Sequence, residues 1–182
     1  WFINSCQKIK YMFPKAHAAA YVISAFRIAW YKVHMPVYFY ASWLTSKATD
    51  VDVNAMMLGY NAIREKILEI QSKGFDATNK ETGQLESLKV CLEATARGIK
   101  FLPIDLENSN STIWNVADEK SIYPPFSSID GLGDTVANNI VKERKKSEFI
   151  SMEDFQNRCK VSSTLLEKMK SMKILDGMPE SS

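Results

Sequence analysis

Along the first part of the chain the apolar positions recur at steps of three and four. From 15 to about 33, Ala18, Val22, Ala25, Phe26, Ala29 and Val33 follow that spacing, which predicts one long helix with a buried apolar stripe. Pro14 stands just before it, where a helix's first turn tolerates proline. His34-Met35-Pro36 breaks the pattern, and Pro36 opens a short aromatic helix to about 45 with Tyr38, Phe39, Tyr40 and Trp43. Asp52 has the side chain of an N-cap for a helix over about 53–72, which Lys73-Gly74 ends. Residues 75–83 read as a polar loop and 84–97 as the next helix, with Gly98 as its terminal glycine. Residues 99–104 suit an extended strand. A polar linker covers 105–111, and 112–116 and 121–123 pair as a hairpin around Ala117-Asp118-Glu119-Lys120. Pro124-Pro125 marks a boundary. Beyond it short helices, over about 127–129, 134–144, 151–158 and 163–171, alternate with tight turns. No long-period repeat is visible, but this last region could hold two copies of one helix-turn-helix unit.

The elements describe a mainly α protein with a small β hairpin. Its main boundary falls near 105–125, between a helical segment (1–107), a linker with the hairpin (108–125) and a region of short helices (126–182). The 182 residues are 46% hydrophobic and 24% charged, enough apolar content for a core. Seven glycines and six prolines exclude collagen-like and low-complexity classes. The net charge of +2 is unevenly spread. Residues 1–60 carry six basic side chains against two acidic ones, and 140–173 carry nine against five, so two regions of net +4 flank a near-neutral middle. Such runs are either solvated helix faces or surfaces for an anionic partner. The three cysteines, Cys6, Cys91 and Cys159, are odd in number and widely spaced. They fit neither a disulfide framework nor a metal-binding pair and read as reduced, buried, cytosolic thiols. With His17 and His34 as the only histidines, no zinc ligand set forms. The most apolar stretch, 16–31, is interrupted by His17 and Arg27 and falls short of the ~18 residues a membrane helix needs. The opening Trp1-Phe2-Ile3, without a Met or a signal-like region, reads as the start of a piece cut from a larger chain, whose first helix lacks neighbours.

The sharpest motif is Ile129-Asp130-Gly131-Leu132-Gly133-Asp134-Thr135-Val136-Ala137-Asn138-Asn139-Ile140, of the form I-x-G-L-G-x-x-x-A-x-x-I. Gly131 and Gly133 permit a hairpin that residues with side chains adopt poorly. Leu132 plugs the core, Ala137 lets two helices approach, and Ile140 packs beneath. The helix beginning at Asp134 and Thr135 turns free N–H groups and a positive dipole end toward an anion. Lys142, Arg144, Lys145 and Lys146 follow and could strengthen phosphate contact. Such contacts position a protein on a nucleic-acid backbone and read no sequence. The same residues could instead form a glycine turn between core helices, and Asp134 opposes a phosphate unless it caps the helix. The pattern resembles the helix-hairpin-helix DNA-binding motif. A second copy over 155–173 has Cys159-Lys160-Val161-Ser162 at the turn and no glycine, so it is either a second strand contact or mainly structural.

The other unusual stretch is Lys10-Tyr11-Met12-Phe13-Pro14-Lys15-Ala16-His17-Ala18-Ala19-Ala20-Tyr21, basic, aromatic and without an acid. Lys15 and His17 open a helix, where the dipole favours anions, and Tyr11 and Phe13 offer faces on which a base stacks. A nucleoside triphosphate fits that composition, and so does a helix start with a partly buried histidine.

The stretch resembles the fingers of C-family bacterial replicases, the alpha subunit of DNA polymerase III, in the form found in the PolC type of low-GC Gram-positive bacteria. The other major type has Asn and Ser at the positions of Pro14 and Ala16 and keeps Phe13, Lys15 and His17. The likeness continues through Arg27, Lys32-Val33-His34, Pro36, Gly98-Ile99, Pro103, Pro124-Pro125-Phe126, the Gly131-Leu132-Gly133 hairpin and Ser163-Thr164-Leu165-Leu166-Glu167. It spans the whole chain but only the C-terminal part of a far longer polypeptide.

The resemblance implies a helical fingers subdomain followed by a tandem helix-hairpin-helix DNA-binding subdomain. It implies nucleotidyl transfer from a dNTP to a primer 3′ end, with Mg²⁺ held by palm carboxylates upstream of this chain and none of the catalytic residues within it. Lys15 and His17 would bind the triphosphate, His17 most strongly when protonated. Tyr11 would stack near the incoming base and Phe13 would line that pocket. Gly131, Leu132, Gly133, Asp134, Thr135, Lys142, Lys145 and Lys146 would grip primer-template DNA. Further partners would be the palm and, through a segment past the C-terminus, the sliding clamp. The location would be cytoplasmic, at the replisome, with no membrane contact. Asp50-Val51-Asp52 offers a D-x-D pair but sits at a helix start and reads as capping. Two other classes carry the hairpin: a DNA glycosylase, for which Asp154 would be the catalytic carboxylate, and a non-enzymatic repair module, which leaves the Lys15 and His17 region unexplained.

Overall fold

The computed structural model describes residues 1–8, 14–48 and 50–181, the side chain of Cys6 excepted. The helix predicted from 15 is α2 (Lys15–His34), which follows the exposed α1 (Phe2–Lys8). Its stripe is not buried. No residue of α2 is enclosed, and Phe26 is 73% exposed. Among the described residues the helix is anchored mainly at its C-terminal end, against α3 (Pro36–Lys47). There Lys32 pairs with Glu93 at 2.8 Å, and the Arg97 guanidinium donates to Lys32 O at 3.3 Å. Among the described residues nothing covers the rest of its apolar face.

Pro36 starts α3, which buries Val37, Tyr40, Ala41 and Leu44. Asp52 caps as predicted, its Oδ1 accepting from Ala55 N at 3.0 Å. The single helix expected over 53–72 is two, α4 (Val53–Leu58) and α5 (Tyr60–Lys73), because Gly59 takes a φ of +87° that ends the first. Ile63, Ile67 and Ile70 then face α6 (Asn79–Ala96) at four- and three-residue steps. Helix α6 begins earlier than its expected start at 84. Thr78 Oγ1 accepts from Glu81 N while Glu81 accepts from Thr78 N, a reciprocal cap hidden inside an apparently polar loop.

Three short strands follow, β1 (Lys100–Phe101), β2 (Asn115–Asp118) and β3 (Ser121–Tyr123). The expected hairpin is β2–β3, antiparallel and opening at Asn115; β1 adds to its other edge in parallel. The strand predicted over 99–104 pairs over two residues only. A first core gathers Tyr40, Leu44, Met56, Ile63, Leu88, Cys91, Trp114 and Ile122. The Tyr40 hydroxyl is enclosed there beside Glu93 and Arg97. Burial first, then the charge of Glu93, pushes its pKa up to about 12.

The second core lies among a 3-10 turn (Phe126–Ser128), α7 (Asp134–Arg144), α8 (Met152–Cys159) and α9 (Ser163–Ser171). Phe126, Ala137, Ile140, Phe155 and Met169 are fully enclosed. Val53 and Ile104 join them from the earlier part of the chain, and Val51 touches both cores. Arg158 closes the C-terminal end of α7. It donates to Glu143 O at 2.7 Å and Ser147 O at 3.1 Å, pairs with Asp154 Oδ2 at 3.0 Å and lies over the Phe149 ring. Cys91 and Cys159 are free and buried, as expected. Burial pushes the Cys159 thiol up to about 12 and Cys91 upward as well. Among the described residues no helix is long and apolar enough to cross a membrane.

Two outcomes test this packing. Phe155→Ala should cost about 3–5 kcal/mol in urea denaturation, because the fully enclosed ring leaves a cavity at the centre of the second core. Stability should also depend on acid through the α6 cap. Lys73 first, then the Thr78 amide and hydroxyl, hold the Glu81 carboxyl at about 2 against an ordinary 4.5. A depressed folded-state pKa contributes stability that is complete above the unfolded value and lost as the pH falls. The urea midpoint should therefore decline between pH 4.5 and 2, and less steeply in Glu81→Gln; an identical decline in that variant would contradict the assignment.

Candidate nucleic-acid interface

The first hairpin is built on one left-handed residue. Gly131 has a φ of +87°, which turns Leu132 inward, where it is buried in the second core. The turn is closed by Leu132 N donating to Ile129 O at 2.9 Å. Gly133 differs from expectation. Its φ of −76° and ψ of 159° are ordinary extended values open to any residue, and a Cβ placed there meets nothing within 4 Å. Within this hairpin, conformation therefore calls for glycine at 131 alone, and packing calls for it at neither position. Gly133 is the N-cap of α7 and supplies no side-chain cap, so the first-turn amides of Asp134 and Thr135 have no intrahelical acceptor. All three residues are exposed. Ala137 and Ile140 lie fully buried beneath.

A second hairpin repeats the first twenty-nine positions on. Lys160 takes the place of Gly131 with a φ of +57°, and Val161 is buried like Leu132. Ser162 takes the place of Gly133 with nearly the same backbone, φ −69° and ψ 155°. Phe155, Leu166 and Met169 stand where Phe126, Ala137 and Ile140 stand, all buried. One difference separates the copies: Ser162 Oγ accepts from Leu165 N at 3.3 Å, so the amino end of α9 carries its own side-chain cap.

The basic residues divide. Lys142 and Lys145 are exposed, and Lys146 pairs with Glu143 at 2.6 Å. All three sit at the far end of α7, on the order of 15 Å along the axis from the hairpin. Arg144 is structural, donating to Leu106 O at 2.7 Å and Ser109 O at 2.6 Å. Two lysines that sequence reading passed over do reach the hairpin. Lys80 lies 2.6 Å from Asp130 Oδ1, and Lys168 donates to Asp130 O at 2.7 Å and to Oδ2 at 3.2 Å. These partners first, and then their charges, lower the Asp130 carboxyl below its usual range. No spacing signal marks the lysines, which lie 50 and 38 residues from Asp130. Asp154, the carboxylate a glycosylase would need, is occupied by Arg158 and by Ile150 N at 3.3 Å.

At the other end of the chain, Lys15 and His17 stand exposed in the first turn of α2, which holds no acidic residue and has no side-chain cap at Pro14. The His17 ring meets Tyr21 edge-on with centroids 4.5 Å apart. Tyr11 and Phe13 lie outside the described residues. Among the described residues no three His, Cys, Asp or Glu side chains gather as a metal ligand set. Asp52 is committed to its cap. The described residues do not fit a magnesium pair.

Residues 98–181 match the family model described as the helix-hairpin-helix motif. The whole chain is also similar to proteins named DNA polymerase III PolC-type. The one from Halalkalibacterium halodurans is 49% identical over 100% of this chain, and the match covers 13% of that protein. The one from Bacillus subtilis is 48% identical over 99% of the chain and 12% of its own length. The one from Lactococcus lactis is 47% identical over 99% and 11%. The chain thus spans about an eighth or less of the curated relatives it matches. Along its full length the chain is similar to one stretch of the PolC-type DNA polymerase III proteins, and within it residues 98–181 match the helix-hairpin-helix motif.

Proposed function

We propose that the chain supplies the nucleotide-facing fingers helices and the duplex-binding hairpins of a PolC-type replicative DNA polymerase. The observation that carries this reading is the first hairpin. Gly131 turns Leu132 into the core, and an uncapped, exposed helix start stands behind a glycine that neither conformation nor packing requires. A residue-free approach to a helix amino end suits a phosphate that must come close to backbone amides. Lys142, Lys145 and Lys146 add contacts farther along the duplex, and primer-template DNA is the ligand.

Lys15 and His17 serve the triphosphate of the incoming dNTP, neutralising charge that grows on the leaving group. Tyr11 and Phe13 serve its base. The Mg²⁺ ions that activate the primer hydroxyl belong with the catalytic carboxylates of the palm, outside this chain. The palm is then the partner of the exposed face of α2. The sliding clamp binds through residues outside this stretch, and the assembly works at the replisome in the cytoplasm.

Two experiments test this reading. Gly133→Val should leave the melting temperature close to that of the parent chain, because its backbone suits valine and the space is open. It should weaken binding to a fluorescent duplex by about tenfold or more, the equivalent of about 1.4 kcal/mol; unchanged affinity would remove the hairpin from the interface. Titration with a deoxynucleoside triphosphate should move the NMR signals of the His17 ring, and much less so in Lys15→Gln. A His17 ring indifferent to triphosphate would end the assignment of this helix start.

A further inference from the structure

Lys80 and Lys168 reach the first hairpin from two distant elements. Lys80 lies in the first turn of α6 and Lys168 in the last turn of α9, and their ammonium groups meet the two carboxylate oxygens of Asp130. The Asp130 side chain is 67% exposed and the lysines 52% and 38%. Ion pairs this exposed are screened and contribute little to stability, so fold stability does not account for their convergence. Two ammonium groups converge on Asp130, and the carboxylates of Asp50 and Asp52 also act on Lys80. The group borders a concavity of about 400 Å³ lined by Asp50, Lys80 and the hairpin residues 127–133. Helix α9 is seated against the turn: Leu165 Cδ2 lies 3.8 Å from the place a Cβ would take at Gly131. The amino end of α9, in contrast, is closed by the Ser162 hydroxyl, while that of α7 has no side-chain cap.

We propose that Lys80 and Lys168 are phosphate ligands of the first hairpin, held in position by Asp130, and that the second hairpin binds no phosphate itself but delivers Lys168. This rests on the reading of the first hairpin as a duplex-binding element. A DNA phosphate at the uncapped amino end of α7 shares the two ammonium groups with Asp130. The carboxylate, being of like charge, tempers the affinity while keeping both lysines aimed at the turn. The contact is with the backbone and is indifferent to base sequence.

The test is equilibrium binding of this chain to a short fluorescent duplex over a series of salt concentrations. Each phosphate neutralised contributes about 0.9 to the slope of log affinity against log salt. Lys80→Gln and Lys168→Gln should each bind more weakly, and the double variant, which leaves the shared phosphate without an ammonium group, should lose about 0.9 of the slope. Asp130→Asn should bind more tightly than the parent chain. Lys160→Gly, which fits the left-handed backbone at that position, should leave the slope unchanged. A double Lys80→Gln, Lys168→Gln chain with the parent slope would overturn the inference. So would an Asp130→Asn chain that binds no more tightly, or a slope reduction in Lys160→Gly. Gly133→Val separates the two levels. If it loses binding while the lysine variants do not, only the present inference falls; if it also binds normally, the hairpin reading falls with it.

Discussion

The C-terminal half depends on one local arrangement, a left-handed residue followed by a buried aliphatic side chain. At Gly131 the positive φ is what lets the chain reverse and drive Leu132 under the turn. Without Leu132 the 3-10 turn, α7 and α9 would lose the wedge that fixes their spacing. Lys160 and Val161 repeat the device, although a side-chain-bearing residue pays about 1 kcal/mol for that backbone region. Phe126 and Phe155 then fill equivalent places at the centre of the second core. The repeat is one of backbone and burial, with little identity between the two copies to reveal it.

The N-terminal half poses the opposite condition. Helix α2 forms from local signals: Pro14 at its start, alanines along its length and a break at Met35 and Pro36. Its position is set mainly at the far end, by Lys32, Glu93 and Arg97. A twenty-residue helix carrying exposed Tyr21, Phe26, Trp30 and Tyr31 presents far more apolar surface than a free-standing face normally keeps.

Sequence periodicity made α2, α3 and the short C-terminal helices legible, and the I-x-G-L-G pattern made the first hairpin legible down to the buried Leu132, Ala137 and Ile140. The exposure of α2 was not legible, because spacing shows which residues share a face and not whether anything covers it. The break at Gly59 was hidden because a single glycine inside a helical pattern is commonly tolerated. The early start of α6 was hidden because Thr78 and Glu81 sit in a run that looks like loop, and their reciprocal bonds appear only in three dimensions. Lys80 and Lys168 could not be found from spacing at all, since the fold alone brings them to Asp130. The role given to Gly133 was too conformational: its backbone is ordinary, and what distinguishes it is the space it leaves.

The segment between the two cores has a mechanical consequence. By composition it is a linker, yet Lys100 N bonds Lys120 O at 2.7 Å, Leu102 N bonds Ile122 O at 2.9 Å, and Trp114 and Ile122 are buried in the first core. From the other side Arg144 holds Leu106 O and Ser109 O. Swivelling one core against the other would break backbone hydrogen bonds and expose Val53 and Ile104 as well. The segment works as a strut: a swivel between the two cores carries the cost of those bonds and of that newly exposed apolar surface.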